Sequence, residues 1–283
     1  MIPPPIRPAG FIACAFRDAG VRGVLRLGSR SKPVYARAVA SPKEIELPDG
    51  TVIPILYEDR AVFAIDKPGG WLLAPESWDR TSRNLHLALM SAINAGDYWA
   101  RSRQLKFLRF VHRLDADTSG VLLLVKKPGA VQAYTRLFET RRVEKTYLAV
   151  VRGEPKHQSW SCRLKLASRS GTTRRVKVDS RHGREAETLF RVLRTNRGRT
   201  LIEARPLTGR THQIRVHLAS CGHPVLGDVL YDAQSDNPQP ETRDPPFFPL
   251  ALRAVALSYH DPFQKRTIRI EAPIQGFCQR FGF

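Results

Sequence analysis

The apolar positions of this 283-residue chain become regular from Ile53 onward. "VFAIDKP" (62–68) reads as a strand stopped by Pro68 and the Gly69-Gly70 turn. "TSRNLHLALMSAINAG" places Leu85, Leu89, Ala92 and Ile93 at helical spacing and ends on Gly96, which predicts a helix. "LKFLRFVHRL" (105–114) and "VLLLVKK" (121–127) predict two strands flanking a short polar loop. "AVQAYTRLFETRR" has a helical pattern, and "EKTYLAVVRG" (144–153) returns to strand. Residues 160–206 alternate in short, arginine-rich runs that suit an antiparallel sheet with one basic side. "GRTHQIRVHLASCG" predicts a helix with Ile214 and Leu218 on one face and Gly222 as its stop. "SDNPQPETRDPPFFP" (235–249) reads as a proline-rich loop, and "RAVALSYH" and "RTIRIEAP" as a closing strand pair.

Runs of strands with a few helices predict an α+β fold, a largely antiparallel mixed sheet flanked by helices. Residues 1–52 carry prolines, scattered arginines and a hairpin-like "LPDGTV" (47–52), and read as an N-terminal extension or small subdomain. Residues 53–283 form the main domain.

Hydrophobic residues at 42% and charged residues at 25% are ordinary for a globular protein. Charge changes the picture. The formal net charge is +20, and residues 101–200 hold 25 Lys/Arg against 8 Asp/Glu, while residues 201–283 hold 9 against 8. So local an excess points to a polyanion, and phosphate backbones are the commonest one. Cys14, Cys162, Cys221 and Cys278 lie far apart in sequence and read as buried thiols in a reducing compartment. No apolar run has the length of a membrane span, and "MIPPPIRPAG" lacks the apolar core of a signal peptide. A cytoplasmic protein without a membrane partner is expected.

The candidate chemistry lies in "HRLDADTSGVLLLVKK" (112–127), where two acids precede the most apolar run of the chain. A calcium loop starting at Asp115 would need a glutamate at its twelfth position, where Lys126 stands. Aspartyl-phosphate chemistry would want the apolar strand before the first Asp and further carboxylates for magnesium. A turn stabilised by side-chain-to-backbone hydrogen bonds suits Asp117, Thr118, Ser119 and Gly120. Asp115, nearest to His112 and Arg113, fits better as a carboxylate acting on a sugar or base, since a nearby cation favours its ionised form. His212 and His217, five apart, are poor joint ligands for a metal on one helix face.

These residues resemble the RluA-type pseudouridine synthase family. "HRLDADTSGVLLLVK" resembles its His-Arg-Leu-Asp-x-x-Thr-Ser-Gly signature. "AIDKPGGWLLAP" (64–75), "VEKTYLAVVRGEP" (143–155) and "PLTGRTHQIRVHLASCGHPVLGD" (206–228) resemble three further blocks in the family's order. The resemblance runs from about Ile53 to Pro273. It implies a synthase catalytic domain with a central RNA-binding cleft, over residues 53–283. The implied reaction isomerises uridine to pseudouridine in ribosomal or transfer RNA after base flipping, with no cofactor and no metal. Asp115 matches the catalytic aspartate, Tyr147 the tyrosine that stacks on the target uracil and takes part in proton removal, and Arg215 the arginine paired with the aspartate. Arg113 matches a position implicated in filling the helix vacated by the uridine. His112, Lys145, Arg210, His212, Arg174, Arg175 and Lys177 complete the expected RNA contacts. A monomer is expected. The family often has Leu-His-Ala before its last strands, where this chain has Arg253 in place of the histidine. Residues 1–50 do not read as the small RNA-binding domain that begins many relatives, so segment 163–199, with 12 Lys/Arg against 3 acids, is the expected phosphate grip.

Overall fold

The five apolar residues Val121–Val125 are all buried, and their side chains alternate between two cores. A strand covered on both faces needs no polar side, which is why its sequence does not alternate. The computed structural model describes residues 44–47, 49–73, 83–168, 175–232 and 249–283. Arg174, the 235–248 stretch and most of the N-terminal extension lie outside the described residues.

The strands are β1 (Glu44–Glu46), β2 (Val52–Glu58), β3 (Val62–Lys67), β4 (Arg109–Phe110), β5 (Ser119–Val125), β6 (Val143–Arg152), β7 (Ser159–Cys162), β8 (Leu166–Ser168), β9 (Val176–Val178), β10 (Thr188–Asn196), β11 (Arg199–Pro206), β12 (Leu252–His260) and β13 (Thr267–Glu271). The helices are α1 (Leu85–Ala95), α2 (Tyr98–Arg101), α3 (Val131–Glu139), α4 (Gln213–Ser220) and α5 (Gln275–Phe281). The long sheet runs β1-β2-β3-β5-β12-β6-β11-β10-β7, with β13 added on β12 and β4 on β5. All its pairings are antiparallel except β5–β12. The expected α+β mixed sheet is therefore present. Leu122 and Leu124 share one core with Leu85 and Leu89 of α1; Val121, Leu123 and Val125 share the other with Tyr134 of α3.

Three local expectations change. The 105–114 run is strand only at Arg109–Phe110. Leu105, Leu108 and Leu114 fill one core and Val111 the other, and that irregular spacing cannot be met by one extended strand. The arginine-rich 160–206 region divides: β7, β10 and β11 extend the long sheet, while β8 and β9 form a separate two-stranded sheet. The 52/53 boundary cuts a hairpin, because β1 pairs with β2 and buries Ile45 beside Ile53. The sheet thus begins at least at Glu44.

The cysteines also differ from expectation. Cys162 and Cys278 are buried, but Cys221, at the end of α4, is exposed. Cys162 and Cys221, far apart in sequence, hydrogen-bond each other, which pushes the Cys221 thiol down to about 6 and raises Cys162. Iodoacetamide at neutral pH is therefore expected to label Cys221 well ahead of Cys162 and Cys278, as read by peptide mass mapping. Equal labelling of all three would overturn the assignment.

One glycine sets the join between the two halves of the sheet. Gly120 has φ +111°, and a Cβ there would overlap the Ala254 carbonyl across the β5–β12 pair. Gly120→Ala is expected to cost at least about 3 kcal/mol in chemical denaturation, from backbone strain plus that clash. No helix among the described residues is long and apolar enough to cross a membrane.

Candidate active site

The loop before β5 is held from below by a buried lysine. Lys67, with 0% exposure, donates to the carbonyls of Pro68, Ala116 and Thr118 at 2.9, 2.7 and 3.0 Å. Three acceptors use all three protons of the charged amine, while burial pushes it down to about 7. The Gly70 N–H adds a bond to the Ala116 carbonyl, and Thr118 N–H closes onto the Asp115 carbonyl. The Lys-Pro-Gly-Gly block is thus the floor of the 115–118 turn. Lys67 lies in one of the four motif blocks, but nothing in the local sequence signals this role. Two of its three partners are 49 and 51 residues away, beyond any local pattern.

Above that floor Asp115 faces Arg215, with Oδ2 at 3.8 Å from Nη1. Arg215 is itself buried at 3% exposure and makes a fork to Asp228, both contacts at 2.7 Å. The guanidinium is therefore anchored to a second carboxylate and presents only one edge to Asp115. Asp228, buried like its partner, also accepts the N–H groups of Leu230 and Tyr231. Asp228 is the last residue of the 206–228 motif block, but no local spacing signals its pairing with Arg215.

Arg215 is delivered by α4, whose start is locked by Gln213. Gln213 Oε1 accepts from Thr208 and from the Arg210 N–H, while Nε2 donates to Glu187 and Thr188. All four bonds lie between 2.6 and 3.0 Å, so the amide is satisfied and ties the loop before α4 to β10. His217, one turn below, bonds Thr188 and the Leu164 carbonyl and is fully buried, which gives it a structural role.

Asp115 and Arg215 open into a cleft of about 570 Å³ that also receives His112, Arg113, Tyr147, Lys145, Arg210 and His212. The structure therefore brings together eight of the ten described residues expected at the site. Tyr147 projects from β6, paired on one side with Ala204 and on the other with Ala254. Burial first, then the Asp115 charge, pushes its phenol above its ordinary value, so the ring carries its proton. Lys145, two residues earlier and so on the same strand face, donates to the Thr208 carbonyl at 3.1 Å. Burial and the Arg141 charge push it down to about 8.

His112 is more constrained than an RNA-contacting residue would be. Its Nε2 accepts the Leu123 N–H at 2.9 Å, its ring stacks on Phe138 at 4.6 Å, and burial lowers it to about 3. It is a neutral wall of the cleft. Arg175 and Lys177 flank the cleft's lining rather than join it: Arg175 donates to the Leu230 carbonyl and Lys177 pairs with Asp179. Arg253, in place of the family's usual histidine, clamps three elements: it meets Asp66 of β3 at 2.6 Å, Ser119 of β5 at 3.3 Å and the Pro273 carbonyl at 3.0 Å. Among the described residues no cluster of three metal-ligating side chains occurs.

Residues 61–220 match the family described as RNA pseudouridylate synthase. The chain belongs to that family. It is 36% identical over 223 residues to ribosomal large subunit pseudouridine synthase C of Yersinia pestis, covering 78% of this chain and 65% of that protein. Against the Escherichia coli K12 protein of the same name identity is 36% over 229 residues, covering 80% and 68%. The chain thus spans about two thirds of the length of these curated pseudouridine synthases. Among solved structures, human RNA pseudouridylate synthase domain containing 1 superposes with a TM-score of 0.60 at 26% identity, covering 78% of this chain and 83% of that one. Human RNA pseudouridylate synthase domain containing 4 shares the fold, with a TM-score of 0.63 at 24% identity and coverage of 80% and 91%. The RluA-type resemblance and the synthase fold read from the four motif blocks are both borne out.

Proposed function

We propose that the protein isomerises a specific uridine to pseudouridine in ribosomal RNA, with Asp115 as the working carboxylate. The observation that carries this reading is one acid and one anchored guanidinium meeting in a cleft, on a chain whose relatives are ribosomal large subunit pseudouridine synthases. The target base leaves its stack, since its sugar is otherwise out of reach, and its uracil lies against the Tyr147 ring. The C1′–N1 bond breaks, the uracil turns in the pocket, and C1′ bonds to C5. The C5 proton is then lost and N1 gains one, so atoms balance and neither oxidant nor cofactor is consumed. Asp115 either adds to C1′ or removes a sugar proton. Tyr147, held protonated in the resting site, serves first as the stacking surface and contributes to the later proton transfer only once the substrate has changed its surroundings. Arg113, Lys145, Arg210 and His212 line the route of the backbone, with Arg174, Arg175 and Lys177 as an outer grip; His112 supports the wall on which they stand. The proposal includes a monomeric, cytoplasmic enzyme acting without a metal.

The test maps pseudouridine by carbodiimide labelling and primer extension in ribosomal RNA from cells with and without the protein. A site lost on deletion, restored by wild type and not by Asp115→Asn supports the reading. Equal restoration by both sinks the assigned chemistry.

Lys145 adds a pH signature. Its charge is present below about 8 and lost above. RNA affinity should therefore fall several-fold between pH 7 and pH 9 at constant salt, by fluorescence anisotropy, and Lys145→Met should flatten that slope. The sign for folding is opposite. A lysine lowered in the folded state contributes stability above its unfolded value, near 10.4, and loses it as pH falls through about 8.

A further inference from the structure

Arg215 is held on one side by Asp228 and faces Asp115 with another edge, and a further contact is an aromatic ring outside the four motif blocks. Tyr231 lies with its ring centre 5.2 Å from the Arg215 guanidinium carbon. Its hydroxyl accepts the Val176 N–H at 2.8 Å and stands 2.9 Å from His212 Nδ1. With one lone pair given to Val176, the hydroxyl keeps its hydrogen and a second lone pair for His212 Nδ1; donation of that hydrogen would place the imidazole proton on Nε2, the tautomer tested below. The same turn receives Arg175, whose guanidinium donates to the Leu230 carbonyl at 2.9 Å. One side chain therefore touches the Arg215 guanidinium, a cleft histidine and the first residue of β9, the strand that follows Arg175 and carries Lys177.

We infer that Tyr231 is a positioning residue whose ring sets the plane of Arg215 for the chemical step and whose hydroxyl couples His212 and the β8–β9 hairpin to that plane for RNA binding. This rests on the proposed roles of Asp115 and Arg215. The two halves of the side chain have separate duties, so they separate in kinetics. Without the hydroxyl, Val176 N–H loses its acceptor and the hairpin its seat, which weakens the grip on phosphates while the ring remains under the guanidinium. Without the ring, the guanidinium gains freedom against Asp115, and misplacement of a reacting group slows the chemistry itself.

The experiment uses full-length protein and large-subunit ribosomal RNA transcribed in vitro. Tyr231→Phe should weaken RNA affinity about fivefold and lower the single-turnover rate at saturating RNA by no more than about threefold. Tyr231→Leu should lower that saturating rate by at least about tenfold. Nitrogen-15 histidine spectra, with His212→Gln for assignment, should show His212 as the Nε2–H tautomer in wild type and mixed tautomers in Tyr231→Phe. A merely structural tyrosine would lower thermal stability in both variants and leave saturating rate, affinity and tautomer alone; that outcome overturns the inference. Equal losses of rate in the two variants overturn it as well. If Asp115→Asn stays active, the functional reading fails whatever Tyr231 does. If Asp115→Asn is dead while both Tyr231 variants match wild type, only this inference fails.

Discussion

Asp115→Asn is expected to lower pseudouridine formation by at least about 10⁴-fold, with folding and RNA affinity close to wild type. The side chain is nearly isosteric, and among the described residues the Asp115 carboxylate holds none of the turn's structural bonds: the turn is tied by its backbone carbonyls to Lys67, Gly70 and Thr118. Removing the charge therefore leaves the loop in place and deletes the carboxylate proposed to react. A nucleophile or base supplies roughly 10²–10⁴ in rate by proton transfer alone, and more when a covalent or charge-separated step depends on it. The measurement is a single-turnover assay on transcribed ribosomal RNA with anisotropy binding alongside. A variant retaining a tenth of the wild-type rate would remove Asp115 from the chemistry. A variant that lost RNA binding in proportion to rate would make it a binding residue instead.

Asp228→Ala is expected to be the most damaging change outside the reacting groups. Arg215 and Asp228 are buried at 3% and 1% exposure, and their two contacts are 2.7 Å. Deleting one member strands a buried cation, which costs about 3–5 kcal/mol. In a domain of this size that lowers the melting temperature by roughly 10 °C. Activity should fall further than stability explains, because a released guanidinium closes onto Asp115, its nearest remaining acid at 3.8 Å, and holds the carboxylate away from substrate. The paired variant Arg215→Leu/Asp228→Leu separates the two effects. It should regain much of the melting temperature, since buried ion pairs are replaceable by apolar volume, and regain no activity. Full activity in that double variant would show the pair to be scaffold only.

Much of the fold was legible because its signals are local. The α1 helix follows from Leu85, Leu89 and Ala92 on one face and Gly96 at its end; the Asn84 cap is added by the structure. β3, β5, β6, β12 and β13 follow from short apolar or alternating runs bounded by turns. The 105–114 run misled because four apolar residues can satisfy two cores without being one strand. Cys221 misled because distance in sequence says nothing about distance across β7 and α4. Of the site, the reactive loop was legible as a turn with one acid left over, and Arg215 as the guanidinium that the motif set opposite it.

The residues that hold those two groups were not legible in the same way. Lys67 reaches Ala116 across 49 positions, Arg253 reaches Asp66 across 187, and Tyr231 reaches Val176 across 55. No period of 2 or 3.6 residues spans such gaps; only the closing of the sheet brings them together. The parallel β5–β12 pair is what seats Gly120 against Ala254 and places the start of the apolar strand one strand away from Tyr147 of β6, which pairs with the same Ala254. The sequence by itself determined which residues can react, because their chemistry is carried by residue type and short spacing. The tertiary structure decided how they are aimed, because aim depends on buried charges and hydrogen bonds whose partners are supplied from distant strands.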